Sequence, residues 1–199
     1  MFSLKDGELA VSIARRTLES HLSGKDIPRF KFPPHFEKKS GVFVTLNTYP
    51  RKELRGCIGF PEPTFPLIDA IQDAARSAST RDPRFPPMRK VELSHVTVEV
   101  SMLTPPKHLK VKKPTELLEL IEVGRDGLIM EKGPFRGLLL PQVPVEQGWD
   151  IDTFLSHTCM KAGMKPDCWI DRSIKVYSFS ASVYMEKTPN GEVVAKPLK

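Results

Sequence analysis

The stretch Leu54-Arg55-Gly56-Cys57-Ile58-Gly59-Phe60 constrains the fold of this chain more than any other. Pro50 stands before it and Pro61, Pro63 and Pro66 after it, so it reads as a short strand between turns. Alternate side chains on a strand point to opposite faces. Leu54, Gly56, Ile58 and Phe60 then share an apolar face, and Arg55, Cys57 and Gly59 share the other. Gly56 leaves room on the core face for a helix to pack close. On the other face a thiol lies two residues from a guanidinium, which favours the thiolate by charge. Gly59 beside it lets a ligand approach the backbone. A plainer reading stands next to this one: an unpaired Cys in a strand is commonly a small buried hydrophobe, and a strand glycine often marks a bulge.

The neighbours of this strand follow from periodicity. Gly41–Tyr49 alternates Val42, Val44 and Leu46 with Phe43, Thr45 and Asn47, and Pro50-Arg51-Lys52 makes the turn of an antiparallel hairpin. A helix starting near Phe65 and ending by Thr80 buries Leu67, Ile68, Ile71, Ala74, Ala75 and Ala78, and its alanines imply close approach to a sheet. Residues 4–22 form an amphipathic helix with Leu9, Ile13, Ala14, Leu18 and Leu22 as its stripe. Ser94–Leu103 is a strand with Val96, Val98, Val100 and Met102 inward and His95, Thr97, Glu99 and Ser101 on a solvated face. If it neighbours Leu54–Phe60, Glu99 shares the surface of Arg55 and Cys57. Between them, three prolines fix Arg81-Asp82-Pro83-Arg84-Phe85-Pro86-Pro87. This loop is either a rigid connector with Asp82 paired to Arg81 or Arg84, or the rim of a site that presents Asp82 and Arg84.

Thr104-Pro105-Pro106 reads as a domain boundary. Beyond it come a short helix at Thr115–Ile121, a hairpin of Gly127–Lys132 and Arg136–Leu140, and a helix from Asp152 to Lys161. A loop at Pro166–Asp171, one long strand at Ile174–Met185 and a polar, mobile tail from Lys187 complete the chain. The order gives an α+β fold, mainly antiparallel sheets with packed helices.

Several motifs in order carry a resemblance: Leu-Arg-Gly-Cys-Ile-Gly at 54–59, Gly41–Thr45, Asp82–Pro87, Ser101–Thr104, Gly124–Leu128, Leu139–Val143 and Glu146–Asp150. On these residues the chain resembles the AMMECR domain family from about Leu4 to Tyr184. The resemblance implies two lobes, the larger holding both termini. Here those would be 1–105 plus 172–199 for the larger lobe and 106–171 for a smaller inserted one. A cleft between lobes is a preferred ligand site. Its candidate catalytic residues are Cys57, Arg55 and Asp82, and its candidate ligand-binding residues are Arg84, Glu99, Gly59, Arg125 and Gln142. The family's association with Memo-like and radical-SAM proteins implies a modification pathway.

Charge and cysteine usage narrow the classes. The 199 residues carry a net charge of +6, which permits an anionic small molecule or RNA as partner. The dense basic run Lys107–Lys113 reads as a solvated loop or as a phosphate contact. Trp149 and Trp169 can stack bases, but nothing in the sequence places them beside that run. Three scattered cysteines suggest no disulfide framework and hence a reducing cytoplasm. No apolar run approaches membrane length, so no membrane partner is expected. His157, Cys159 and Cys168 match no zinc spacing. There is no P-loop, dinucleotide fingerprint or nucleophile elbow, so no cofactor is expected. Two functions remain: a thiol- or acid/base-assisted enzyme acting on an anionic ligand, with His95 or His108 as base, or a non-enzymatic adaptor or RNA-binding module in which residues 54–59 are a packing motif.

Overall fold

Local chemistry sets the first helix. Ser3 Oγ accepts the Asp6 N–H at 3.3 Å and the Asp6 carboxylate accepts the Ser3 N–H at 2.8 Å, a reciprocal cap that starts the helix. The structure is a computed structural model and describes residues 2–197. In chain order its helices are α1 (Leu4–Leu22), α2 (Leu67–Thr80), α3 (Leu117–Leu120), α4 (Gln142–Gln147) and α5 (Ile151–Lys161). Its strands are β1 (Val42–Thr48), β2 (Leu54–Phe60), β3 (Val96–Leu103), β4 (Lys107–His108), β5 (Gly127–Lys132), β6 (Phe135–Leu139), β7 (Lys175–Phe179), β8 (Ala181–Glu186) and β9 (Val193–Ala195). The fold is α+β, with a five-stranded sheet in the order β2-β1-β3-β8-β9 and a four-stranded sheet in the order β4-β7-β5-β6. The chain divides into two compact units. One runs through Leu103 and takes up Ser182–Lys196, and the other is Thr104–Ala181.

In the larger unit, β1 pairs antiparallel with both β2 and β3. Val42, Val44 and Leu46 of β1 and Val98 and Val100 of β3 turn one sheet face into the core, where α1 and α2 cover it. Burying Ile13, Leu18 and Ile71 in full is worth about 1.5–3 kcal/mol each. The expected close approach of α2 is present: a Cβ at Gly56 would lie 2.1 Å from the backbone oxygen of Ala78. No flexible side chain stands there to yield, so glycine is what lets helix and strand touch.

One charged residue lies deep in this unit. Arg15 faces inward from α1 although it is not one of the stripe residues, and both it and Glu186 of β8 are buried. Its Nε donates to Glu186 Oε1 at 2.9 Å and its Nη2 donates to Oε2. Nη1 also donates to Leu93 O at 3.0 Å and Nη2 to Val96 O at 2.8 Å. Glu186 Oε2 also accepts the Val98 N–H at 3.0 Å. Every nitrogen of the guanidinium and both carboxylate oxygens are therefore hydrogen-bonded, the condition under which buried charge is tolerated.

In the smaller unit, Leu117, Leu128, Met130, Phe154, Leu155 and Val176 form the core. Gly148, in the left-handed region at φ 65°, ends α4, and Asp150 then caps α5 by accepting the Thr153 N–H at 2.9 Å. Cys159 on α5 and Cys168 form a disulfide across a sequence separation of 9. Closing so short a loop restricts the unfolded chain by about 3 kcal/mol on an entropic model.

Several sequence expectations change here. The expected absence of a disulfide is corrected: two of the three cysteines pair and only Cys57 is a thiol. Scatter misled because a helix and a turn bring positions 159 and 168 together. The expected strand Ile174–Met185 is two strands in different sheets. Thr104 N–H donates to Ser180 O at 2.9 Å and Ser180 N–H donates to Thr104 Oγ1 at 2.9 Å, so the backbone at Ser180 pairs with Thr104 instead of continuing either strand. The chain therefore returns to the larger unit at Ser182 rather than at 172. The tail expected to be mobile supplies β9, paired with β8. The basic run begins as β4, paired with β7. The face of β3 expected to be solvated is buried at Thr97, Glu99 and Ser101. Part of its cover is Lys196, whose Nζ donates to Glu99 Oε2 at 2.9 Å.

Candidate functional site

β2 is an outer strand of its sheet, and the loop after α2 lies along its open side. Asp82 Oδ2 accepts the Cys57 N–H at 2.8 Å, and Arg84 Nη2 donates to the Cys57 carbonyl at 3.3 Å. Both backbone groups of Cys57 thus point away from β1. Cys57 and its partner Thr45 form a non-hydrogen-bonded pair, the kind whose side chains come closest. Thr45 Oγ1 accordingly donates to Cys57 Sγ at 3.2 Å. Asp82 also binds its own loop: Oδ1 accepts Arg84 N at 3.1 Å and Nε at 2.9 Å, and Oδ2 accepts Arg84 Nη2 at 2.7 Å. The Asp82 side chain is 1% exposed and that of Arg84 51%. The loop is thereby fixed three ways: by its prolines, by an Asx turn and by the strand edge.

The electrostatics follow. The Arg84 guanidinium on Asp82, with the Cys57 and Arg84 N–H groups, holds that carboxyl well below the usual carboxylate range. Burial pushes the Cys57 thiol up, and the pull of Thr45 and Arg84 the other way does not offset it. Arg55, expected to favour the thiolate, is committed elsewhere. Its Nε donates to Glu92 Oε2 at 2.9 Å and its Nη2 to Pro86 O at 3.0 Å. Arg55 and Arg84 both flank the ring of Phe85, at 5.9 and 5.5 Å from its centroid. Asp82, with both oxygens occupied and its proton affinity low, is a brace and a poor general base at neutral pH.

The other expected residues separate. β1 lies between β2 and β3, which corrects the proposed adjacency of those strands. Thr45 nevertheless pairs with both Cys57 and Glu99, so those two lie in one row on one face. The space beside Gly59 is not open to a ligand: a Cβ there would meet the Phe43 ring at 2.5 Å and Val42 O at 2.2 Å. Arg125 and Gln142 belong to the other unit. Arg125 builds its own turn, donating from Nη1 to Glu122 Oε2 at 2.8 Å, from Nε to Asp126 Oδ2 at 3.0 Å and from Nη2 to Leu120 O at 2.9 Å. Gln142 is buried at the start of α4. His95, proposed as a base, has its Nδ1 3.0 Å from Ser94 Oγ and 3.4 Å from Val91 O, and the thiol's hydrogen bond comes from Thr45 instead. His108 lies on β4 of the smaller unit. Among the described residues no group of three or more His, Cys, Asp or Glu is arranged to hold a metal.

Sequence reasoning missed Thr45, Phe85 and Glu92. Thr45 was available from the hairpin register, but the bulge between Leu46 and Asn47 sets which residue faces Cys57. Glu92 carries a weak local signal, lying three residues after Arg89, whose N–H donates to Glu92 Oε1 at 2.8 Å.

The geometry defines a class of α+β protein in which a proline-fixed Asp-Arg loop is bonded to the edge of a glycine-bearing strand. The AMMECR1 family matches residues 11–184, and the chain belongs to that family. It is 53% identical to protein MJ0810 of Methanocaldococcus jannaschii over 198 residues, which covers 100% of this chain and 98% of that one. It is 51% identical to protein MK0488 of Methanopyrus kandleri, covering 98% of this chain and 96% of that one. The crystal structure of uncharacterized protein PH0010 from Pyrococcus horikoshii superposes with a TM-score of 0.91 at 52% identity, covering 96% of each chain. The names of these relatives state no activity. Among the described residues no helix is long and apolar enough to cross a membrane.

Proposed function

We propose that this chain is a recognition protein for an anionic ligand and not a thiol enzyme, with Leu54–Gly59 serving as a packing element of the scaffold. One observation carries the reading: the carboxylate of Asp82 is spent on Cys57 N–H and on Arg84. What remains at Cys57 is a half-buried thiol, hydrogen-bonded by Thr45, that favours its protonated form. The net charge of +6 supports an anionic partner. Alkylation tests this directly, because Cys57 is the single thiol of the chain. Native protein treated with iodoacetamide at pH 7–8 stays unmodified by mass spectrometry and gains one carbamidomethyl group only after denaturation without reductant. Rapid labelling of native protein at neutral pH reinstates the thiol mechanism.

A further inference from the structure

The basic run and one tryptophan, far apart in the sequence, meet in the smaller unit. A concave pocket of about 230 Å³ is lined by His108, Lys110 and Lys112 from the basic run, and by Trp169, Asp171 and Arg172 from the segment after the disulfide. Leu117 and Val176 contribute apolar lining. Among the described residues Lys110, Lys112 and Arg172 form no ion pair. The one acid of the lining, Asp171, is ion-paired: Lys132 Nζ donates to it at 2.7 Å, which with the Ser173 N–H keeps it a carboxylate, with its carboxyl held at about 2.

The lining is also held in place. His108 is fixed by the pairing of β4 with β7, its ring 5.1 Å from that of Tyr177. The Glu116 carboxylate accepts the N–H groups of Lys112 and Lys113, each at 3.1 Å, which anchors the backbone that carries Lys110 and Lys112. Trp169 sits in the short helical turn Cys168–Ile170, which the disulfide ties to α5.

We infer that this pocket binds a nucleoside phosphate, the base against the Trp169 indole and the phosphate among Lys110, Lys112 and Arg172. An indole offers a π-face to any base. Unpaired ammonium groups and a guanidinium, which can bind phosphate through two donors, suit the anion. The volume falls below the roughly 300–1,000 Å³ of pockets that enclose a whole drug-sized ligand. It therefore takes one nucleotide unit with the remainder in solvent. The same chemistry comes from two sources, a free mononucleotide or one nucleotide of single-stranded RNA. The inference gives a ligand class to the recognition reading above but stands on its own lining. Labelling of native Cys57 would remove that reading and leave this pocket, and the reverse also holds.

The test is calorimetric titration of the oxidised, full-length protein at ~50 mM salt with AMP, GMP, inorganic phosphate, adenosine and a 5′-phosphorylated oligoadenylate. Saturable binding of AMP or GMP, well above that of phosphate or adenosine alone, supports the inference. If the oligonucleotide binds no tighter than AMP, the source is a free nucleotide. If it binds tenfold tighter or more, with a slope of log K on log salt near −2 for three phosphate contacts, the source is RNA. Trp169→Leu weakens binding roughly tenfold, Trp169→Phe retains most of it, and Lys110→Gln with Lys112→Gln and Arg172→Gln abolishes it. Circular dichroism shows that each variant is folded. No binding of any nucleotide by the wild type, or binding unchanged in the folded triple variant, overturns the inference.

Discussion

Three arginines of the larger unit and the cations around the pocket of the smaller unit behave differently, though the sequence writes them alike. Arg15, Arg55 and Arg84 each end on a carboxylate: Glu186, Glu92 and Asp82. Lys110, Lys112 and Arg172 end on none among the described residues. The first group is architecture, because its charge is consumed in joining helix to strand or loop to strand. The second group is surplus, and surplus charge beside an aromatic ring is what an anionic ligand can use. Net charge counts both groups equally and so locates neither.

Three variants test this contrast. The largest effect belongs to the most buried pair. Glu186→Gln leaves Arg15 buried without its counter-charge and lowers stability by about 3–5 kcal/mol. Urea unfolding reads this, and a loss under ~1 kcal/mol would move Arg15 out of the architectural group. Asp82→Asn comes next, with a loss of about 1.5–3 kcal/mol at pH 7, from weakened hydrogen bonds to Arg84 and Cys57. Its effect depends on pH with a definite sign. The folded carboxyl of Asp82 is depressed below its unfolded value of about 3.9. Its contribution is therefore complete above that value and is lost as pH falls through the folded pKa. Wild type and Asp82→Asn converge in thermal midpoint as the acid limb is approached, whereas a gap that widens in acid contradicts the ion-pair account. The smallest effect is expected from Lys110→Gln with Lys112→Gln and Arg172→Gln, each within about 0.5 kcal/mol of wild type in stability. A large stability loss there would show that the pocket cations hold structure rather than wait for a ligand.

The sequence made much of the fold legible. The hairpin of β1 and β2, the span of α1, the inward valines of β3 and the closeness of α2 at Gly56 all follow from periodicity and from small residues in matching places. Legibility stopped where partners are distant in sequence. Arg15 and Glu186 are 171 positions apart and carry no local sign of each other. Val176 and Val183 read as one strand because periodicity carries no mark of the Thr104 contacts that interrupt it at Ser180. The candidate site was half legible. Alternation placed Cys57 on the polar face, and loop chemistry offered the Asp82–Arg84 pair as one of two readings. The turning of Arg55 toward Glu92, the raised proton affinity of the thiol and the filling of the Gly59 space by Phe43 depend on tertiary contacts. The meeting of Trp169 with Lys110 and Lys112 depends on a disulfide that spacing did not reveal.

The way Asp82 and Arg84 engage Cys57 has a consequence for how this protein meets others of its kind. An outermost strand offers a row of unused N–H and C=O groups, on which a second chain can lengthen the sheet and begin aggregation. At Cys57 both groups are already taken, by an anion and a cation that no incoming strand can out-compete without first separating them. The covering loop is closed to extension as well, because Pro83, Pro86 and Pro87 have no N–H to offer a ladder. The two charged side chains act as a stopper in the sheet: while they hold the Cys57 backbone, no further strand can pair there.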